Sequence, residues 1–277
     1  MKLVHIESLS ELRKKSVAWD DLWSRSNSTL PTHRAELVAQ WTEHFAADLP
    51  FAALAVEDDG QFVAALPLIA ERQYGIRIGT PTGNAWSDCG DLLIDTAADV
   101  AKIVQLLAEG EKLLRCPLLL FDGVNINADP WRSWSLGRET HGGFVAKPKF
   151  RVGVVDLTHD WEAYVAAWSG NHRRSLKKQR KAIAKAGEIE LVALSDMQPN
   201  EVESFLRQAF EVEDRSWKGR AGTSVLRTPG AFDFFLRQAQ QLSAWRQFEL
   251  YFLTLDERAI AFDFCYSCKG VLSTHKI

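Results

Sequence analysis

Apolar positions recur along this chain with two different periods, and the places where the period changes mark out its elements. From Ser8 to Arg25, Leu9, Leu12, Val17, Trp19, Leu22 and Trp23 form a rough helical stripe. A second stripe, from Thr32 or His33 to Ala46, carries Leu37, Val38, Trp41 and Phe45. Residues 51–56 and 61–69 are apolar runs separated by the acidic turn Glu57-Asp58-Asp59-Gly60, the pattern of a β-hairpin. Pro67 has no N–H to give, so its strand is expected to lie at an edge or to carry a bulge there. Residues 74–94 read as further strands around a polar loop from Thr80 to Asp88, 97–114 as a helix and 117–121 as a buried strand.

The second half repeats the scheme. Residues 171–185 should form a helix that stops at Gly187, followed by a strand over 188–194. Helices are expected over 199–215 and 229–245, and three strands over 247–277. Residues 51–69 correspond to 248–266 at an offset of about 197, with Asp59 opposite Asp256, Val63 opposite Ile260 and Ala64 opposite Ala261. The pattern therefore predicts an α/β (α+β) chain of two similar units in tandem, 1–150 and 151–277, with mostly antiparallel mixed sheets flanked by helices.

Alternation in the last hairpin places Ala259, Ala261, Asp263 and Cys265 on one face, and Ile260, Phe262, Phe264 and Tyr266 on the core face. A two-residue loop at Lys269-Gly270 would set Asp263 opposite Lys276. A type I turn at Cys268-Lys269 with Gly270 as the bulge residue would set it opposite His275. The second register is favoured, because the two-residue loop needs positive φ at lysine as well as glycine. An Asp263–His275 pair would be a general base or, equally, a cross-strand ion pair.

Composition narrows the classes. A net charge of −3 gives no general affinity for DNA, yet residues 1–100 hold 15 acidic and 8 basic side chains while 171–185 hold seven basic ones and no acid. Arg173, Lys177 and Lys181 share one face of the expected helix, with Arg174 and Lys178 beside them. Such a face suits a polyanion or is simply solvated. Four scattered cysteines fit a reducing compartment, and Cys265-Tyr266-Ser267-Cys268 lacks a second ligand pair for zinc, so no metal is expected. No signal peptide or membrane-length apolar span is seen, so a cytoplasmic chain without membrane insertion is expected.

Trp217-Lys218-Gly219-Arg220-Ala221-Gly222-Thr223 gathers two glycines, two cations, a hydroxyl and an aromatic face between two helices. It suits a loop gripping a charged or acylated ligand, or a solvent loop with Trp217 turned inward. No G-x-S-x-G, H-E-x-x-H, P-loop or G-x-G-x-x-G motif occurs, but direct acyl transfer needs only positioning, a base and an oxyanion donor.

The basic stretch from Asn171 to Gly187, the Ser216–Thr223 segment, and the closing strands with Ala259-Ile260-Ala261 and Thr274-His275-Lys276-Ile277 resemble a bacterial CelD-like acetyltransferase family of the GNAT superfamily. That family is distantly similar to the FemAB peptidyltransferases. The resemblance covers 150–277 well and implies two GNAT-like units, the second incomplete, since family members continue beyond the strand that ends here. It implies an acyltransferase moving an acyl group, most simply acetyl, from acyl-CoA (acetyl-CoA) to an amine or hydroxyl of a cell-envelope or exopolysaccharide precursor. Arg173, Arg174, Lys177, Trp217, Lys218, Gly219, Arg220 and Thr223 would bind the donor and acceptor, and Asp263 and His275 would handle the acceptor's proton. An aminoacyl-tRNA donor, as in FemAB enzymes, is the less favoured alternative for so acidic a chain. A non-catalytic module in polysaccharide assembly is the other. The phosphate loop of simple GNAT enzymes is not recognisable in either half.

Overall fold

The computed structural model describes residues 1–139, 145–149, 151–158 and 160–277. The unit boundary expected at 150 falls on a residue outside that description. In the first half, strand β1 (Lys2–Ile6) leads into helices α1 (Leu9–Lys14) and α2 (Ser16–Arg25), a 3-10 turn at Pro31–His33 and α3 (Ala35–Phe45). Strands β2 (Phe51–Asp58), β3 (Gln61–Gln73) and β4 (Ile76–Pro81) follow. Next come the small pair β5 (Gly83–Asn84) and β6 (Ser87–Asp88), then β7 (Leu93–Ile94), α4 (Val100–Leu114), β8 (Leu118–Leu119) and α5 (Asp129–Glu139). The second half contains α6 (Trp161–Ala166), α7 (Gly170–Ala184), β9 (Ile189–Leu194), α8 (Val202–Asp214) and the single turn α9 (Trp217–Arg220). A 3-10 turn at Val225–Arg227, α10 (Ala231–Ala244), β10 (Phe248–Leu255), β11 (Arg258–Cys268) and β12 (Val271–Lys276) complete it.

The fold is mixed α/β with two main sheets, ordered β1-β2-β3-β4-β8, with β7 also on β3, and β12-β11-β10-β9. All strand pairs are antiparallel except β4 with β8. Alternation along β2 sends Ala53 and Ala55 into a core with Trp19, Leu22 and Val38, and Leu54 and Val56 into a second core with Ile103, Leu107 and Trp131. The first sheet is thus covered on both faces. A third core holds Leu37, Trp41 and Ile69 of the first half together with Phe210, Phe235 and Phe264 of the second. Helix α3 serves two cores: Ala35, Val38 and Ala39 face one, and Leu37 and Trp41 the other.

The internal echo extends to backbone detail. Both hairpins turn through an aspartate of φ +47°, Asp59 and Asp256. Each carries a register irregularity at the same place, between Val56 and Glu57 and between Leu253 and Thr254. That second irregularity corrects one expectation: it lets Ile260 turn outward, 40% exposed, and puts Ala259 in the core instead. Pro67 pairs with Ala53 and otherwise falls between the β3 residues bonded to β7 and those bonded to β4, where no ladder partner needs its missing N–H. The expected buried strand at 117–121 is reduced to two residues, with Leu118 50% and Leu120 45% exposed. It lies at the sheet edge, where one side of the strand meets solvent. Among the described residues, no helix is long and apolar enough to cross a membrane.

Candidate functional site

Helix α8 buries Val202, Leu206, Ala209 and Phe210, and Glu213 comes next on the same stripe. Helical geometry therefore carries a carboxylate inward. Its side chain is 1% exposed, and Oε1 lies 3.1 Å from both Lys218 Nζ and Lys276 Nζ. Oε2 accepts the backbone N–H of Val225 at 2.8 Å. Two ammonium groups share this one carboxylate, which leaves a positive charge in surplus in a largely desolvated place. Lys218 also donates to the carbonyl of Ile277 at 2.9 Å. Burial pulls the Lys276 ammonium below the ordinary lysine range, against the opposing pull of Glu213.

Residues of both halves enclose this cluster. Lys276 Nζ lies 4.8 Å from the ring centre of Trp86, in the polar loop of the first half, and 5.4 Å from that of Phe235. Beside Trp86, Gln238 donates to Ser87 Oγ at 2.9 Å and accepts from the Tyr266 hydroxyl at 3.3 Å. His275 stands against Tyr266, Phe264 and Phe235 at centroid distances of 4.9, 5.7 and 6.0 Å. Its Nε2 is buried without a hydrogen-bond partner. Burial first, and then Lys276, push the ring down to about 4, so it is neutral at neutral pH.

The Trp217–Thr223 segment is a helical turn followed by a glycine reversal. Ser216 caps it by accepting from the Lys218 N–H at 3.1 Å, and Gly222 has φ +73°. Gly219 is required by close approach, since a Cβ there would lie 1.8 Å from the carbonyl oxygen of Asp214. Asp214 accepts from Arg227 Nε at 2.7 Å and Ser224 Oγ at 2.6 Å, which holds its carboxyl below the usual range. Trp217 is 63% exposed, Arg220 and Thr223 are exposed, and Thr223 Oγ1 donates to the carbonyl of Lys218 at 3.3 Å.

One expected arrangement is corrected. Cys268 pairs directly with Val271, so Lys269 (φ +50°) and Gly270 (φ +72°) form the two-residue loop that the sequence disfavoured. The left-handed lysine is held from outside the hairpin. Its Nζ donates to the carbonyls of Trp23, Ser26 and Ser28 at 2.5, 2.9 and 2.8 Å, and lies 4.3 Å from the Trp23 ring centre. A further irregularity between Phe264 and Cys265 sets Lys276 opposite Phe264. Asp263 therefore faces neither His275 nor Lys276. It lies on the opposite sheet face, across from Tyr251, with Oδ1 unpartnered and its carboxyl pushed up by burial.

On α7, Arg173, Arg174 and Lys177 are exposed, and the two arginines bond to nearby groups, Ala166 O at 2.8 Å and Asn171 Oδ1 at 2.8 Å. Among the described residues, no hydrogen bond or ion pair joins α7 to the Glu213 cluster. What the structure does bring together is Lys218 and His275 with Glu213, Lys276, Trp86 and Gln238. Glu213 is one of several acids near the end of α8. The signal that separates it from its neighbours is its place on the apolar stripe of α8. The candidate site is formed within the described residues without any metal-binding group of three or more His, Cys, Asp or Glu.

The family model described as an acetyltransferase (GNAT) domain matches residues 170–277, which include the whole cluster except Trp86. Among solved structures, a ribosomal-protein-alanine N-acetyltransferase from Brucella melitensis biovar Abortus 2308 is 13% identical, with a TM-score of 0.35 over 56% of this chain and 100% of that one. An aminoglycoside 6'-N-acetyltransferase from Acinetobacter haemolyticus is 16% identical, with a TM-score of 0.34 over 56% and 100%. Glucosamine-6-phosphate N-acetyltransferase from Arabidopsis thaliana is 13% identical, with a TM-score of 0.31 over 56% and 100%. No curated protein matched. The domain match marks the carboxy-terminal residues as an acyltransferase domain of the acetyltransferase class, whose members use acetyl-CoA.

Proposed function

We propose that this chain transfers an acyl group, most simply acetyl, from acyl-CoA to an amine or hydroxyl of a cell-envelope or exopolysaccharide precursor. The reading takes residues 1–150 and 151–277 as two GNAT-like units of a CelD-like protein, with the reaction at the Glu213 cluster between them. The observation that carries it is Glu213 held between Lys218 and Lys276 inside the segment matched to an acetyltransferase domain.

Acyl transfer from a thioester requires three things of the protein: a surface for the donor, a positive group where the carbonyl oxygen becomes an oxyanion, and a group to take the acceptor's proton. Half-buried Trp86 offers an apolar face for the acyl group, with Phe235 packed edge-on behind it in the core. Lys218, the more exposed of the two cations, faces the oxyanion. Lys276, the more desolvated, exchanges the acceptor's proton while Glu213 keeps it oriented. The acceptor's nitrogen or oxygen bonds to the acyl carbon and the carbon–sulfur bond breaks; the Lys276 ammonium gives its proton to the leaving sulfur, and the amine so formed takes the acceptor's proton, so the coenzyme leaves as the thiol. Trp217, Arg220 and Thr223 are exposed beside Lys218, where they would meet the donor or acceptor, Gly219 is buried on the end of α8 and lets that turn sit there, and His275 braces β12 from within the core.

Lys276→Arg separates charge from proton transfer, because arginine keeps the cation and does not give up its proton. Calorimetry should find acetyl-CoA bound by Lys276→Arg within about threefold of the parent, and about tenfold more weakly by Lys276→Met. Thiol release with amino-sugar acceptors should fall at least about a hundredfold in both. Unchanged turnover in Lys276→Arg would remove lysine from the chemistry.

The exposed cations of α7 favour a second reading, in which Arg173, Arg174 and Lys177 follow the phosphate backbone of an aminoacyl-tRNA donor. Binding would then fall steeply as salt rises, whereas acetyl-CoA binding at the buried cluster would change little.

A further inference from the structure

The first half contains a cavity of about 180 Å³ that no residue of the Glu213 cluster lines. It opens where the end of β1, the start of β2, the middle of β3 and β4, and the carboxy-terminal turn of α4 converge. Its walls are mostly apolar, from Phe51, Leu68, Ile69 and Leu114, and its polar side is made by His5, Glu7 and Arg77. Two side-chain nitrogens in that polar group, His5 Nε2 and Arg77 Nε, are buried and have no hydrogen-bond partner. A buried donor without an acceptor costs about 1–3 kcal/mol, and more when it belongs to a charged group. Arg77 Nε is such a donor, and with the unpartnered ring nitrogen beside it the cavity bears the mark of a missing partner, since native folds leave few such atoms.

The chemistry of the partner follows from the donors. Arg77 Nε–H is a permanent, charged donor, and its strongest partner is an anionic oxygen. His5 Nδ1 lies 3.0 Å from Glu7 Oε1, and in the tautomer that donates there Nε2 is an acceptor, so the demand for an anion comes from Arg77. Glu7, 75% exposed at the rim, adds a negative charge that disfavours a dianion such as phosphate. The apolar walls take a hydrocarbon body, and a cavity near 150 Å³ is known to hold benzene. We infer that this cavity is a binding site for a compact monocarboxylate, its carboxylate bonded to Arg77 Nε–H and its apolar body against Phe51, Leu68 and Leu114.

Benzoate and benzyl alcohol share size and apolar body and differ in the anionic group, so they serve as probes against the full chain. Calorimetric titration should find benzoate bound at least about tenfold more tightly than benzyl alcohol. Arg77→Met keeps the side-chain stem and removes the donor, and it should erase that preference. Ala70→Leu, which intrudes on the lining without touching the charges, should weaken both probes. Neither change should move acetyl-CoA binding, which separates this site from the acyl-transfer reading. No benzoate binding by the parent chain, equal binding of the two probes, or a preference that survives Arg77→Met would each overturn the inference. The comparison of the two probes on the parent chain decides the matter even if a variant fails to fold.

Discussion

His275 is neutral because it is enclosed by Phe235, Phe264 and Tyr266, and this has a consequence for stability as pH changes. Its ordinary value of 6.5 applies in the unfolded chain, while the folded ring protonates only near about 4. Between those values the unfolded state binds a proton that the folded state does not, so stability falls as pH falls through that window. The loss amounts to on the order of 3 kcal/mol. Urea midpoints should therefore drop steeply from about pH 6.5 to about pH 4 in the parent and less in His275→Phe. Equal slopes would mean that other groups carry the effect. Two residues that meet at the Glu213 cluster, Lys218 and His275, could be named from sequence at this scale, but their partners could not. Asp263 was paired with His275 on a turn rule about lysine φ, and contacts from Trp23, Ser26 and Ser28 some 240 positions away overrode that rule. Side-chain alternation cannot carry information about a bulge, so the face of each residue beyond it is unreadable.

Elements were more legible than contacts. Helices over 202–214 and 231–244 and the three closing strands lie within a few residues of where periodicity places them, because each has an apolar stripe of its own period. The turn α9 has no such stripe. It exists because Ser216 caps it and because Gly219 lets it lie directly on the end of α8. Gly219→Ala should displace this turn and carry Lys218 away from Glu213. We expect a loss of about 2–4 kcal/mol in chemical denaturation together with weaker acetyl-CoA binding, whereas Gly222→Asn, at a left-handed position with open space, should cost less than about 1 kcal/mol. A small effect of Gly219→Ala would show that α9 relocates freely and is not what holds Lys218.

The whole molecule is built from two sheets that repeat one hairpin, bulge included, and that are tied together by side chains reaching from one half to the other. Lys269 bonds three carbonyls of the first half, and Arg34 bonds Asp20 at 2.8 Å while its guanidinium lies 3.5 Å from the ring centre of Trp245. Lys269→Ala should lower the unfolding free energy by about 2 kcal/mol while leaving one cooperative transition. Two separated transitions would mean that the halves fold independently. The third core argues against independence. Leu37, Trp41 and Ile69 touch Phe210, Phe235 and their neighbours in a single apolar cluster, so the seam between the halves is made of the same material as the interior of each. A fragment expressed from residue 151 onward would present those aromatic rings to water, and would associate with itself or with other hydrophobic surfaces before it could be assayed. The domain matched at 170–277 thus depends for solubility on residues that lie outside the match.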